Sequence, residues 1–227
     1  MLGLVLVIAC AVGVGRAGRR RGWERGFGRS VGAALLLAWP VMQGYYLLIE
    51  ADWSESLPLH FCDLASLVGP VAVIWPRRTL RALLYFWGFG YTVWGVATPM
   101  LSDGPGTLNF WFFWLSHGGV LLLASYDLIV RGYRPTAGEF GRVCAITAVY
   151  ILLIIPVNIV FNWNYAYIGP VDPTPGTPLD LLPAWPWRIG ALMAMGWFML
   201  FGPLVAWWVV RRLTGGRAGA EALPCRP

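Results

Sequence analysis

The side chains best suited to chemistry gather in one short apolar run of this chain. Cys62 and Asp63 follow His60 closely in the sequence LPLHFCD, and His117, the other of only two histidines, lies in a second apolar segment. Ionisable groups inside apolar segments are costly and usually face a protein interior or a water-filled cavity, so they mark a candidate functional site. A thiol with an imidazole favours nucleophilic transfer chemistry, with the imidazole as the proton acceptor.

Helical geometry limits the roles of these groups. Pro58 suits the first turn of a helix, so we expect His60, Cys62 and Asp63 in its first two turns. His60 and Asp63 then share a face, whereas His60 and Cys62 point in different directions. Counting along the helices places Cys62 about 7–8 Å and His117 about 10 Å below the same surface. We therefore predict a catalytic group in which Cys62 pairs with His117 across the bundle, with His60 and Asp63 nearby.

The elements that position these residues are predicted to be membrane helices. The chain is 58% hydrophobic and 12% charged, about half the charge of a soluble domain, and one helical span needs about 20 residues. We predict an all-α membrane protein, a bundle of seven transmembrane helices in one domain over residues 1–213, with a cytoplasmic tail over 214–227. The predicted spans are Met1 to Val14, Ser30 to Ile49, Leu57 to Trp75, Ala82 to Met100, Phe110 to Val130, Val143 to Phe161, and Trp187 to Val210.

The first apolar run is short, and a secretory signal peptide is the alternative interpretation. Signal peptides place positive charge before the apolar stretch. Here the order is reversed, because four arginines follow the run: Arg16, Arg19, Arg20 and Arg21. We favour a retained helix with its N-terminus outside.

The distribution of charge predicts the orientation. Every basic residue is an arginine, and alternate loops put all of them except Arg188 on one side. The positive-inside rule makes that side cytoplasmic, so we predict a multi-pass protein of the cell membrane with its N-terminus outside and its C-terminus inside. The predicted outer side carries the acidic residues Glu50, Asp52, Glu55, Asp103, Asp172 and Asp180.

Charge and composition also bear on partners. The net charge of +6 reflects the loop bias and predicts contact with anionic membrane lipids. Nucleic-acid binding is excluded because the arginines are spread over four separate loops. A conventional retinal protein is excluded because the chain has no lysine for the Schiff base. Cys62 lacks a cysteine partner on its predicted side, so we expect a free thiol. The oligomeric state stays open.

Further polar residues gather at the predicted outer ends of the helices. They could bind substrate, although asparagine and tyrosine in bundles often serve packing alone. The proline-rich loop from Asn162 to Pro186 could be a rigid interfacial connector or a lid over a cavity. The predicted substrate-binding residues are Asn158, Asn162, Tyr165, Glu50 and Asn109.

Three parts of the chain resemble the YwaF-like family of bacterial integral membrane proteins. These are the run Leu57–Asp63, the pair His117-Gly118, and the segment from Asn164-Tyr165 to the motif PAWPW that ends at Trp187. That family is related to a eukaryotic multi-pass membrane protein regarded as a cysteine-dependent acyltransferase for ether phospholipids. The resemblance implies a Cys–His acyl-transfer site carried here by Cys62 and His117. We expect no cofactor.

Two other functions stay open at this stage. One is a non-enzymatic binder or proton-coupled transporter of small solutes, in which the outer acids and asparagines hold the solute. The other is a metal or haem site, in which His60 and His117 ligate a haem iron, or these histidines hold zinc with Cys62 and Asp63.

Overall fold

The computed structural model describes residues 1–99, 101, 104–171 and 178–214, and within these ranges the regular structure is entirely helical. Some predicted features lie outside the described residues: Met100, Asp103, Asp172 and the tail beyond Thr214. The helices are α1 (Leu2–Arg21), α2 (Glu24–Tyr45), α3 (Trp53–Ser56), α4 (Phe61–Ile74), α5 (Arg78–Trp87), α6 (Val93–Ala97), α7 (Leu108–Ile129), α8 (Ala137–Phe161) and α9 (Trp187–Leu213).

Two π-helical segments extend the α-helices. Residues Tyr46–Glu50 continue α2, and residues Gly88–Thr92 join α5 to α6 without a break. The second segment makes one helical path from Arg78 to Ala97. Gly90 lies in this segment, and a side chain there would come within 3.1 Å of the Met199 carbonyl of α9. A glycine therefore lets the two backbones approach closely, as small residues do in membrane bundles.

Five helices are long and apolar enough to cross a membrane: α1, α2 with its π-helical extension, α7, α8 and α9. This finding confirms the prediction of an all-helical protein with several apolar helices. Helix α4 is a shorter apolar helix. We predicted that Pro58 lies in the first turn of this helix. In the structure α4 begins at Phe61, and Pro58 lies in the turn before it.

The core lies where α4, α5 and α7 pack together. Phe86, Ala72 and Val120 are among its buried residues. Two polar side chains in α5 have partners on other helices. The Trp87 indole N–H donates to Thr147 Oγ1 of α8 at 3.0 Å, and the Tyr85 hydroxyl donates to the Pro203 carbonyl of α9 at 3.0 Å. These bonds satisfy polar groups that an apolar setting would otherwise leave unpaired.

Buried ion pairs join the helices at the arginine-rich end, which we define as the end carrying Arg81 and Arg131. Arg81 Nε lies 3.1 and 2.8 Å from the two carboxylate oxygens of Asp127, a residue only 2% exposed. Arg131 Nε donates to Glu24 at 2.7 Å, and its Nη1 donates to the Val73 carbonyl at 2.6 Å. Arginines here thus connect α2, α4, α5 and α7.

We predict that Asp127→Asn destabilises the fold by about 3–5 kcal/mol, because it leaves the buried Arg81 guanidinium without a counter-charge. Thermal unfolding of the purified protein in detergent measures the effect. Arg142→Gln is the control, since this exposed arginine donates only to the Thr79 hydroxyl among the described residues, at 3.4 Å. Equal unfolding temperatures for the two variants would contradict the proposed role of the pair.

Candidate functional site

The candidate site lies at the end of the bundle opposite the arginine-rich end, where α4 begins. His60 precedes the helix in an extended conformation, and its backbone N–H donates to the Asp63 carboxylate at 3.2 Å. In a capping box, the side chain of the third helical residue accepts from the backbone N–H of the residue before the helix. Asp63 and His60 form this bond. Asp63 therefore has a structural partner, and Cys62 occupies the second position of α4. In a regular helix, His60 and Cys62 would point in different directions. That limit does not apply here, because His60 lies outside the helix.

The His60 ring has partners on both of its nitrogen atoms. Nδ1 accepts from the Ala166 backbone N–H at 3.4 Å, and Nε2 lies 3.5 Å from a carboxylate oxygen of Glu55. Because a backbone N–H only donates, Nδ1 carries the lone pair and the ring proton is on Nε2. The ring also contacts Tyr165 and Tyr167, with centroids 4.9 and 5.5 Å away. His60 thus links α4 to the loop between α8 and α9, which we call the outer loop after the side of the membrane predicted for it.

Two tyrosines lie near Cys62. Burial raises the pKa of Tyr167 to about 12, and a thiolate at Cys62 would raise it further. This phenol therefore keeps its proton at neutral pH. Tyr150 of α8 donates its hydroxyl to the Leu59 carbonyl just before α4, and its ring packs on Phe61 with centroids 4.2 Å apart. Cys62 itself is a partly buried free cysteine.

His117 is held by its own helix. Its Nδ1 lies 3.0 Å from the Phe113 carbonyl and 3.1 Å from Ser116 Oγ, and its ring stacks on Phe113 at 4.1 Å. Since a carbonyl only accepts, the ring proton is on Nδ1 and the lone pair is on Nε2. Nε2 faces α6, where a side chain at Gly95 would come within 3.3 Å of it. No hydrogen bond joins His117 to Cys62 in the described part of the chain, so their pairing stays a prediction.

Asn158 clasps the outer loop to α8. It is completely buried, its side-chain amide donates to the Tyr165 carbonyl at 2.8 Å, and its side-chain oxygen accepts from the Tyr165 N–H at 2.9 Å. The Tyr165 hydroxyl in turn accepts from the Leu57 N–H at 3.0 Å and donates to the Trp53 carbonyl at 2.6 Å. Burial raises the pKa of Tyr165 to about 12, which keeps this donor protonated. Both residues therefore have structural roles.

Of the other predicted substrate-binding residues, Asn162 lies beside this clasp, because its backbone N–H donates to the Asn158 carbonyl, and Glu50 and Asn109 lie elsewhere. Asn162 ends α8 in the left-handed conformation, with φ of 54°, a helix-ending role that asparagine often takes. Glu50 accepts from Asn109 at 3.1 Å and from Tyr45 at 3.2 Å in an exposed cluster between α2 and α7. The structure thus divides the predicted set between two places.

Sequence reasoning missed the role of Arg188, which is 1% exposed. Its Nη2 donates to the Gly169 and Val171 carbonyls, each at 2.6 Å, and fixes the outer loop to the start of α9. Gly169 is equally constrained, because a Cβ atom there would lie 1.8 Å from the Trp163 carbonyl oxygen. The sequence did contain a sign that Arg188 is unusual. It is the one arginine that falls on the predicted outer side, together with the acidic residues.

The described residues contain no group of three or more histidine, cysteine, aspartate or glutamate side chains arranged to hold a metal ion. The arrangement instead offers a thiol at a helix start, where backbone N–H groups lack intrahelical partners. It also offers a histidine with a fixed tautomer.

The architecture is that of a multi-helix membrane protein. The sequence matches the model of the TMEM164 family over residues 1–202, so the chain belongs to this multi-pass membrane family. No curated protein and no solved structure matches the chain.

We predict that Asn158→Ala destabilises the fold, because it leaves the buried N–H and carbonyl of Tyr165 unpaired, at a cost of about 1–3 kcal/mol for each group. Thermal unfolding checks this. Asn162→Gly is the matched control and should be nearly neutral, because glycine readily adopts a positive φ. A stable Asn158→Ala variant would show that the clasp is dispensable.

Proposed function

We propose that the protein is a membrane acyltransferase that moves a fatty acyl chain from one lipid to another through a thioester on Cys62. The observation that carries this proposal is the position of Cys62 in the first turn of α4, where unpaired backbone N–H groups can stabilise the oxyanion of an ester under attack. The resemblance to the YwaF-like family and its acyltransferase relative supports the same reaction.

We propose His117 as the proton acceptor, and two observations support it. The Phe113 carbonyl fixes the ring so that Nε2 is the basic nitrogen, the arrangement that a general base needs. The depth along the bundle also agrees. A side chain at Gly69 of α4 would meet Leu123 of α7 at 3.5 Å, and the two helices share a small cavity lined by Ser66 and Ser116. Cys62 precedes Gly69 by seven residues, about two helical turns. Ser116, the neighbour of His117 in the sequence, precedes Leu123 by the same distance.

The proposed reaction has two halves. In the first, the Cys62 proton passes to His117 Nε2, the sulfur attacks the ester carbonyl of the donor lipid, and the ester C–O bond breaks. The departing lysolipid oxygen takes the proton from His117, and the acyl chain is left on sulfur. In the second half, His117 removes the proton from an acceptor hydroxyl, whose oxygen attacks the thioester. The C–S bond breaks, the sulfur takes the proton from His117, and the cysteine thiol is restored.

Neighbouring residues have supporting roles in this proposal. Asp63 caps α4 and His60 holds the loop above it, so both keep the Cys62 region in place. Asn158 and Tyr165 anchor the same loop. These residues are positioning residues, and the reacting atoms belong to Cys62 and His117.

We predict that Cys62→Ala and Cys62→Ser abolish acyl transfer, and that His117→Asn reduces it by about 10²–10⁴-fold, the contribution of a general base. The assay follows a labelled acyl chain from a phospholipid to a lysophospholipid in proteoliposomes. Intact-mass analysis detects the hydroxylamine-sensitive acyl adduct that the wild type should form on Cys62.

Cys10→Ala and Cys144→Ala are the matched controls, because they remove thiols elsewhere in the bundle, and both should keep full activity. Wild-type transfer by a folded Cys62→Ala variant would rule out the thioester. Solute uptake that responds to Glu50→Gln and not to Cys62→Ala would instead favour the transporter alternative.

A second prediction tests His117 without changing any reactive group. A Cβ atom at position 95 would lie 3.1 Å from His117 Cδ2, so Gly95→Ala should displace the imidazole and lower transfer. Gly190→Ala is the control, because nothing lies within 4 Å of a Cβ atom there. Unchanged transfer in Gly95→Ala would argue against a precisely placed His117. The same assay and an unfolding measurement separate loss of activity from loss of fold.

A further inference from the structure

A long groove runs along α9 toward the arginine-rich end. It has a volume of about 450 Å³ and is walled by apolar and aromatic side chains, among them Phe89, Trp94, Phe198, Trp207 and Val210. This volume is in the ordinary range for ligand sites, about 300–1,000 Å³. The lining includes neither Cys62 nor His117, so the groove is separate from the proposed reaction.

The dimensions of the groove suit one acyl chain. Its lining on α9 extends from Phe198 to Val210, a rise of about 18 Å along the helix. One leaflet of a bilayer contributes about 15 Å, half of the hydrocarbon core of about 30 Å. Gly202 forms part of the wall, and nothing lies within 4 Å of a Cβ atom built there. The groove is therefore open along the middle of its length.

The end of the groove nearest the arginine-rich end carries positive charge. The Arg134 guanidinium lies over the Trp207 ring, 5.1 Å from its centroid, and Arg211 follows Trp207 by one helical turn on α9. Both arginines are exposed, and neither forms an ion pair with a carboxylate among the residues that the structure describes. The nearby Asp127 is buried and bound to Arg81. Arginines favour phosphate groups, which they bind through several N–H donors.

We propose that this groove is a binding site for one anionic phospholipid, whose acyl chain lies along α9 and whose phosphate binds Arg134 and Arg211. The apolar walls provide room for the chain. The charge at one end selects an anionic headgroup over a zwitterionic one. Basic pockets between membrane helices bind anionic headgroups in this manner.

Native mass spectrometry of the full chain in an equimolar mixture of phosphatidylglycerol and phosphatidylcholine tests the site. The wild type should retain more phosphatidylglycerol than phosphatidylcholine. The double variant Arg134→Gln/Arg211→Gln should lower that affinity by about 25-fold, since each arginine near an anionic group contributes about fivefold. The control Arg25→Gln/Arg29→Gln removes the same charge from the start of α2 and should keep the preference.

A second pair of variants tests the groove itself. Gly202→Phe fills it and should remove the retained lipid, while Gly190→Phe adds the same side chain elsewhere on α9 and should not. Unfolding temperatures confirm that the variants are folded. Equal retention of the two lipids by the wild type would overturn the proposal, as would an unchanged preference in Arg134→Gln/Arg211→Gln or a retained lipid in Gly202→Phe.

Discussion

Polar groups that a bundle carries into an apolar setting need partners inside the protein, because lipid offers none. In this structure the clearest example is the ion pair between Arg81 and Asp127, whose side chains are both largely removed from solvent. The Glu24–Arg131 pair nearby is buried to a similar extent. Removing such ions from water is expensive unless the geometry is good and other polar atoms are satisfied. The two pairs therefore restrict how α2, α5 and α7 can be arranged.

The same constraint acts at the opposite end through the backbone. In its described residues the outer loop contains only short 3₁₀ helices, and side chains from α8 and α9 bind several of its N–H and carbonyl groups. Asn158 donates to the Tyr165 carbonyl, and Arg188 donates to the Gly169 and Val171 carbonyls. The Tyr165 hydroxyl in turn donates to the Trp53 carbonyl, before α4. The proposed acyl transfer rests on two groups of this region to which the described contacts assign no such role, Cys62 and the Nε2 atom of His117.

Backbone strain is concentrated beside Cys62. Ala166 and Tyr167 both have a positive φ, of 56° and 62°, and each such residue costs about 1–3 kcal/mol. The clasp through Asn158 and the contact with His60 hold this part of the loop in place. Strain that is held by surrounding structure is common at functional sites. Here the strained part of the loop lies next to a free thiol.

The sequence alone determined the class of the protein, because long apolar runs in a weakly charged chain can be stable only as membrane helices. It also singled out Cys62, His60 and His117, since reactive groups in apolar segments are rare enough to find by composition. It could not assign partners. Whether Asn158 binds substrate or a loop carbonyl depends on contacts between residues that are far apart in the chain.

Only the tertiary structure decided those partners. One difference is local: α4 begins at Phe61 and not near Pro58, because the His60 N–H donates to the Asp63 carboxylate three residues further on. Arg188 looked like an exception to the charge bias, yet it is buried against two loop carbonyls. Burial and hydrogen-bond partners are properties of the assembled bundle, so periodicity and charge counting do not contain them.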